Sequence, residues 1–484
     1  MTRPGSDDAL VAALTTWLPE ARWFPLKSHQ LQSLEVVDRL RLPLEGWREF
    51  VVVDALADGP TSDAGPQTYA LPIAWQPDGP RDAAADPLIA GWLGHAAING
   101  DRVQGSTSAL AGVATGPRLE RPWRTGAVTP LAADSSNTLL ILADSVPHAD
   151  ADVVLKLLRQ VRPGIQPEVE IGSLLAAHAT WHHSPRLRGY LEWQHPSRGV
   201  SVVGVVHDRV PHAVSLWSHL LEILTTQAEN AEDRDRLHRE LKPTLTALGH
   251  VTANMHRVLA DETQAPAFGT DAWVPHEAQA AAAAMVSHAT KIFDALDASR
   301  SHLPVSATPL LDQVLQRRAA CITRLAALGT FPLQSQRIRV HGDYHLGQVL
   351  TRHDTADRPR EDQLFVIDFE GEPQRSLADR RHKYSAAKDV AGMIRSLDYL
   401  VQFATREGAR SLPPDAHEQF VGWFLSSYVA AAVGTRFWPS DPAEAQRLLD
   451  VYCLDKAIYE VAYEANNRPD WMEVPLRALL ERTS

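Results

Sequence analysis

Two short acidic stretches, "VHGDYHLGQVL" (340–350) and "FVIDFEGEP" (365–373), constrain this chain more than any other feature. Each completes a short β run, in "RIRVHG" and "QLFVIDF", within a region whose other signals are helical. That spacing places Asp343 and Asp368 on neighbouring loops at one end of a small hairpin. A metal site, a phosphoryl-transfer site or two unrelated loops would each produce such a pair. Phosphoryl transfer needs one carboxylate to orient the attacking hydroxyl and accept its proton, and hard oxygens to hold Mg²⁺ against the nucleotide phosphates. Asp343 suits the first task; Gln348 and Asp368 suit the second.

The upstream half supplies matching parts. "TLLILADSV" and "ADVVLKLLRQV" read as strands, and the second carries Lys156 in its apolar middle. Such a lysine either snorkels to solvent or is held to meet phosphates beside a helix carboxylate. The following helix offers Glu170, or its neighbour Glu168, as that partner. "RGVSVVGVVHDRV" (198–210) is a further strand. Lys, Glu, HGD and DFE in this order are far more specific than any one of them. Nearer the start, "SLEVVDRLRL" and "EFVVVDALADG" read as strands, while residues 56–89, rich in Pro, Gly, Asp and Ala, read as a loose excursion between short strands. Beyond residue 211 the patterns predict helices over 237–260, 277–296, 308–328, 388–408, 415–434 and 442–466, with Pro243 in the first turn of its helix or breaking it.

The formal net charge of −12 argues against a general partner among nucleic acids or anionic membranes, which reward basic surfaces. No run reaches the ~18 apolar residues of a membrane span, and "MTRPGSDDALVAALTTW" lacks the order of a signal peptide. Cys321 and Cys453 are too few and too far apart for a disulfide framework, so a cytoplasmic location is expected. "HH" at 182–183 lacks a third metal ligand, and neither a nucleophile elbow nor a dinucleotide-binding fingerprint occurs.

The chain resembles the bacterial maltokinases, within the aminoglycoside-phosphotransferase and kinase-like superfamily. The resemblance is carried by "WLPEARWF" (17–24), "SNT" (136–138), "VLKLLRQVRPGIQPEVE" (154–170), "LGHVTANMHRVLA" (248–260), "HGDYHLGQVL", "IDFEGEP", "RRHKYSAAKDVAGMIRSLDY" (380–399) and "DKAIYEVAYEANNRPDW" (455–471). It implies an α+β, bilobal protein-kinase-like fold: an N-terminal cap subdomain (1–125), a β-rich nucleotide-binding lobe (126–210) and a mainly helical C-lobe (211–484). It also implies ATP and Mg²⁺ as cofactors and maltose as acceptor, giving maltose 1-phosphate for α-glucan and glycogen synthesis. A trehalose-metabolising enzyme is the candidate partner it suggests. By position, Asp343 would be the catalytic base, Gln348 and Asp368 the magnesium ligands, and Lys156, paired with Glu170, the phosphate contact. Ser136 would belong to the phosphate-covering turn, and Val206 and Asp208 to the hinge "GVVHDRV" (204–210).

His345, Glu370, Asp389, Arg395, Tyr459, Glu460, Glu464 and Trp471 are the acceptor candidates, because they lie in motifs that face the C-lobe site in this family. Arg380, Arg381 and Lys383 are either phosphate contacts or a salt-bridged turn. Two departures stand out. "RWFPLKSH" replaces an expected Arg-Trp-Phe-Ala-Gly-Lys, and His207-Asp208 replaces a Gln-Glu-type hinge pair. The first bears on the cap, the second on nucleotide preference. Alternative readings are the same chemistry on glucosamine, a drug-modifying phosphotransferase, and a nucleotide-binding pseudokinase, which would normally have lost the base, the metal ligand or the lysine.

Overall fold

The computed structural model describes residues 5–25, 30–58, 65–117, 125–131, 137–144, 152–226, 231–263, 265–352, 360–373, 375–408 and 412–483. The chain divides into two compact units, one of residues 1–177 and 185–211, the other of 178–184 and 212–484.

The first unit is built on two antiparallel sheets. Strands β1 (Leu31–Arg41), β2 (Arg48–Ala57), β3 (Gln67–Gln76) and β4 (Gly79–Asp82) form one sheet in that order. The other contains β5 (Arg102–Gln104), β6 (Ala109–Ala114), β7 (Thr125–Pro130), β8 (Thr138–Asp144), β9 (Val153–Leu157), β10 (Leu187–His195) and β11 (Gly199–Asp208), in the order β5-β6-β10-β11-β9-β8-β7. Helices α1 (Asp7–Trp17), α2 (Pro87–Asn99) and α3 (Pro167–Ala177) complete it. The period of two along a strand explains why "FVVVDA" is apolar nearly throughout. Phe50 and Val52 of β2 and Ala70 and Ala74 of β3 enter the core shared with α2 and the seven-stranded sheet. Val51, Val53 and Ala55, with Tyr69, Leu71 and Ile73, face the opposite core against Leu10 and Leu14 of α1. The expected excursion at 56–89 is therefore corrected: it contains β3, ten residues long, whose apolar run was averaged away by its flanking turn residues. Helix α2 lies directly on strand backbone. A Cβ at Gly112 would stand 1.7 Å from the Ala96 carbonyl, and one at Gly189 2.1 Å from that of Ala97.

The second unit is mainly helical: α4 (Leu216–Thr226), α5 (Ala231–Leu259), α6 (Pro275–Ala298), α7 (Thr308–Gln316), α8 (Arg318–Ala326), α9 (Leu377–Arg380), α10 (Ala387–Arg406), α11 (Ala416–Ala432), α12 (Pro442–Asn467) and α13 (Glu473–Arg482). The single helix expected over 308–328 is two, α7 and α8, parted at Arg317. Helix α5 runs through Pro243, whose ring sits on the exposed side, where loss of one backbone hydrogen bond is best tolerated. The β content is small: β12 (Ala213–Ser215), β15 (Val349–Arg352) and β16 (Leu364–Val366) form one sheet, and β13 (Asp271–Ala272) pairs with β14 (Gln336–Arg337). Strands β15 and β16 are antiparallel, with Val349 opposite Val366. Asp343, which precedes β15, and Asp368, which follows β16, consequently leave the hairpin at the same end.

Candidate active site

In the first unit, β9 lies between β8 and β11, and Lys156 is in register with Leu139 and Val205. Its Nζ is 2.8 Å from Glu168 Oε2, and both side chains are almost wholly buried. Burying two charges costs more than a surface pair returns, so such a pair is weak evidence for stability and good evidence for use. The carboxylate that holds Lys156 is that of Glu168, the neighbour offered alongside Glu170. Two residues turn an α-helix by about 200°, and it is the buried Glu168 whose carboxylate reaches the lysine from the first turn of α3. His207 Nδ1 stands 3.9 Å from the other Glu168 oxygen. Val206 is buried in the core, and Asp208 accepts from Arg188 at 3.2 Å. Ser136 lies outside the described residues.

In the second unit, the loop "HGDY" is held from several sides. Asp389, in the first turn of α10, accepts the His341 N–H on Oδ2 at 2.7 Å and the Gly342 N–H on Oδ1 at 2.9 Å. The His341 ring meets the Ile367 carbonyl at 2.8 Å, tying this loop to that of Asp368. Gly342 has φ +89, a left-handed conformation that a side chain would strain. Asp368 adopts φ +67 without being glycine, a strain typical of functional loops. Gln348 Nε2 donates to Asp368 Oδ2 at 2.9 Å, so the two expected metal ligands are adjacent.

Asp343 itself meets a residue that the sequence reading passed over. Lys456 of α12 reaches Asp343 Oδ1 with its Nζ at 3.2 Å. Burial pushes the Asp343 carboxyl up; the Lys456 ammonium, with His345 beside it, brings the group below its ordinary value. Glu372 is the second omission. Burial pushes it upward, but Lys388, Lys456 and Arg375 bring it down to about 2. A cavity of about 1020 Å³ opens beside this network, lined among others by Glu372, Lys388, Asp455 and Tyr459, with Trp273 and His288 also on its wall.

The acceptor candidates separate clearly. Tyr459 faces the cavity. His345, whose ring accepts the Gly347 N–H at 3.1 Å, faces Asp343 electrostatically and is pushed down by burial. Glu370 is 3.9 Å from Arg380. Asp389 is fully buried, with both oxygens used on the backbone of Asp343's loop. Arg395 and Glu460 pair with each other. Arg395 Nη2 and Nε bind Glu460 Oε2 at 2.7 and 2.9 Å, and Nη1 binds Asp398 at 2.5 Å, so the guanidinium is consumed inside the helix packing. Trp471 stacks on Phe403 at 4.5 Å with Arg406 at 4.2 Å from its ring, so its aromatic face is occupied. Phe403 lies some 20 Å along α10 from Asp389, at 1.5 Å per residue. Glu464 chelates Arg468. Arg380 spends its donors on the carbonyls of Pro373 and Arg375, and Lys383 on Asp271 and the Phe268 carbonyl, which favours the salt-bridged-turn reading. Arg381 lines the cavity.

This arrangement defines a kinase-like α+β fold with an N-terminal cap. Residues 17–104 match the profile of the maltokinase N-terminal cap domain. The chain is also similar to a glucosamine kinase from Mycolicibacterium smegmatis, 26% identical over 452 residues that cover 91% of this chain and 96% of the relative. A glucosamine kinase from Streptacidiphilus jiangxiensis is 26% identical over 349 residues, 71% of each protein. Among solved structures, a glucosamine kinase in complex with glucosamine, ADP and inorganic phosphate superposes with a TM-score of 0.63 at 20% identity, covering 99% of both chains. A second crystal form of glucosamine kinase gives 0.66 at the same identity and coverage. Among the described residues, no helix is long and apolar enough to cross a membrane, and both cysteines are buried and free.

Proposed function

We propose that this chain is a Mg²⁺-dependent ATP:sugar phosphotransferase whose acceptor is the anomeric hydroxyl of maltose, with maltose 1-phosphate and ADP as products. The observation that carries the reading is the single end of the β15–β16 hairpin, from which Gln348 and Asp368 emerge together and Asp343 emerges against Lys456, whose Nζ lies 5.0 Å from the ring of the cavity-lining Tyr459. Asp343 accepts the proton of the acceptor hydroxyl as that oxygen bonds to the γ-phosphorus, and the bond to the ADP oxygen breaks. An amide oxygen and a carboxylate are the hard donors that Mg²⁺ takes in small number from protein, so the residues present fit the ion. Once bound, it neutralises the phosphate charge. Lys156, held by Glu168, meets the nucleotide phosphates.

Maltose is favoured by cavity size and charge. About 1020 Å³ is at the upper end of small-ligand sites and accommodates two sugar rings. Its carboxylates are largely matched by cations: Glu372 by Lys388 and Arg375, Asp271 by Lys383, and Glu277 by Arg337. A neutral acceptor suits that balance. The cap match points the same way. The second reading, glucosamine, is favoured by Asp455, whose carboxyl burial and Glu372 push upward and which an ammonium would satisfy, and by the glucosamine kinase relatives.

ADP release from Mg-ATP with maltose, glucosamine, glucose, trehalose and kanamycin tests both. Maltose turnover giving a phosphorus NMR signal of a glycosyl phosphate is expected. Turnover confined to glucosamine, and lost in Asp455→Asn, replaces the acceptor and keeps the catalytic residues. Nucleotide binding without turnover on any of the five overturns the kinase reading in favour of a pseudokinase.

A further inference from the structure

Lys456, the ammonium that meets Asp343, has a second carboxylate within reach on its own helix. Glu460 lies four residues further along α12, so the two side chains share a face and can pair as i and i+4. Lys456 turns instead to Asp343, donating to Oδ1 at 3.2 Å, with the Tyr459 ring centroid 5.0 Å from its Nζ. Glu460 is held from α10. Arg395 donates to Glu460 Oε2 from Nη2 at 2.7 Å and from Nε at 2.9 Å, and its Nη1 reaches Asp398 at 2.5 Å. Arg395 is 2% exposed and Glu460 9%. Burial pushes the Glu460 carboxyl above its ordinary value against two cations, Arg395 first and Lys456 second. Two cations thus act on one carboxylate, and Arg395 is the one that holds it by hydrogen bonds. A buried ion pair adds little net stability over apolar packing, so its place one helical turn from Lys456 calls for another use.

We propose that Arg395 is a positioning residue for the phosphoryl transfer: by occupying Glu460 it keeps Lys456 on Asp343, and without it Lys456 turns along α12 to Glu460 and leaves the base. A guanidinium takes a carboxylate through a rigid fork of donors, whereas an ammonium is a point charge on a flexible four-carbon stem. Arg395 is therefore the stronger partner for Glu460, and Lys456 is the one able to switch. The two choices open to Lys456 are about 6 Å apart along the helix axis, a span its stem covers by changing rotamer. Once Lys456 leaves, nothing on α12 holds the Asp343 carboxylate, and ~1 Å of misplacement at a reacting atom is worth about 100-fold in rate.

The proposal rests on the kinase reading for its kinetic arm and stands apart from it in its stability arm. Arg395→Met is expected to lose roughly 10–100-fold in kcat, with KM for Mg-ATP unchanged. Adding Glu460→Gln removes the competing charge, and should bring kcat back to within about threefold of Glu460→Gln alone. A structural ion pair would also regain stability when its second half is removed. Stability restored without kcat therefore overturns the proposal. A double-mutant cycle on Asp343→Asn and Lys456→Met, read from denaturant midpoints, needs no turnover. The two substitutions should be coupled in the parent, additive in Arg395→Met, and coupled again in Arg395→Met/Glu460→Gln. Coupling of one size in all three backgrounds overturns the proposal even if the enzyme is an active kinase. The expected pattern with no sugar turnover leaves it standing and removes only the kinase reading. If Arg395→Met does not fold, Arg395→Lys keeps the charge but not the two-donor grip. It should show a smaller loss of kcat and of coupling, each reversed by Glu460→Gln; losses that Glu460→Gln leaves in place overturn the proposal.

Discussion

At the scale of single residues, the site works by opposing charges held close in partly buried surroundings. Lys456 is the clearest case, since it sits on the carboxylate proposed as the proton acceptor. Burial lowers and Asp343 and Glu372 raise the lysine, and the net effect keeps it charged well above neutral pH. Replacing it by methionine removes the main influence that lowers Asp343, so Asp343 titrates at higher pH. The acidic limb of the kcat/KM profile of Lys456→Met should move to higher pH, and an unmoved limb would show that Asp343 is not the group titrating there. Glu372 gives a stability prediction. Its carboxyl titrates at about 2 when folded, against 4.5 for the unperturbed group. A depressed folded value adds stability above the unfolded pKa and loses it as pH falls through the folded one. The parent should therefore exceed Glu372→Gln by about 3 kcal/mol at most near neutrality. The gap should close between pH 5 and 2, as read from denaturant midpoints across that range. A gap independent of pH would mean that the loss is one of packing.

At the scale of elements, the catalytic loop depends on what backs it. Helix α10 approaches the loop through Gly392, where a Cβ would lie 2.5 Å from the Tyr344 carbonyl. Gly392→Ala should cost about 1–3 kcal/mol of stability as an overpacking change, and should lower kcat further because the loop itself is displaced; a melting curve and kcat both equal to the parent's would contradict that packing. Elements were legible where local pattern decides them. The hairpin, the lysine strand and the long helices follow from periodicity in "QLFVIDF", "VVLKLL" and "EAQAAAAAMVSHATKIFDAL". What pairs across elements was not legible. Lys456 and Asp343 are far apart in the chain, and no spacing rule links α12 to the loop before β15. Arg395, Glu460 and Trp471 are residue types that bind sugars, and the same chemistry builds helix packing; only the partners Asp398, Phe403 and Arg406 distinguish the two uses. The choice between Glu168 and Glu170 turned on a helix phase that an alternating "EVE" conceals.

At the scale of the whole molecule, the chain divides into two compact units. A chain of two units need not unfold in one step, so apparent melting temperatures are compared only between matched scans. A ligand that binds only native protein adds stability as the logarithm of its saturation, about 2.7 kcal/mol at a hundredfold excess over Kd. Mg-ATP should accordingly raise the melting temperature of the parent by a few degrees, and ATP with EDTA by less. Asp343→Asn should retain the full Mg-ATP shift while losing turnover by about 10²-fold or more, because the base touches the acceptor and not the nucleotide. Asp368→Asn should shift alike with and without Mg²⁺, because the metal-dependent part has lost its charged ligand. Lys156→Met should weaken both shifts. A full Mg²⁺-dependent shift in Asp368→Asn would remove Asp368 from the metal site, and an unchanged shift in Lys156→Met would return its buried pair with Glu168 to a purely structural role.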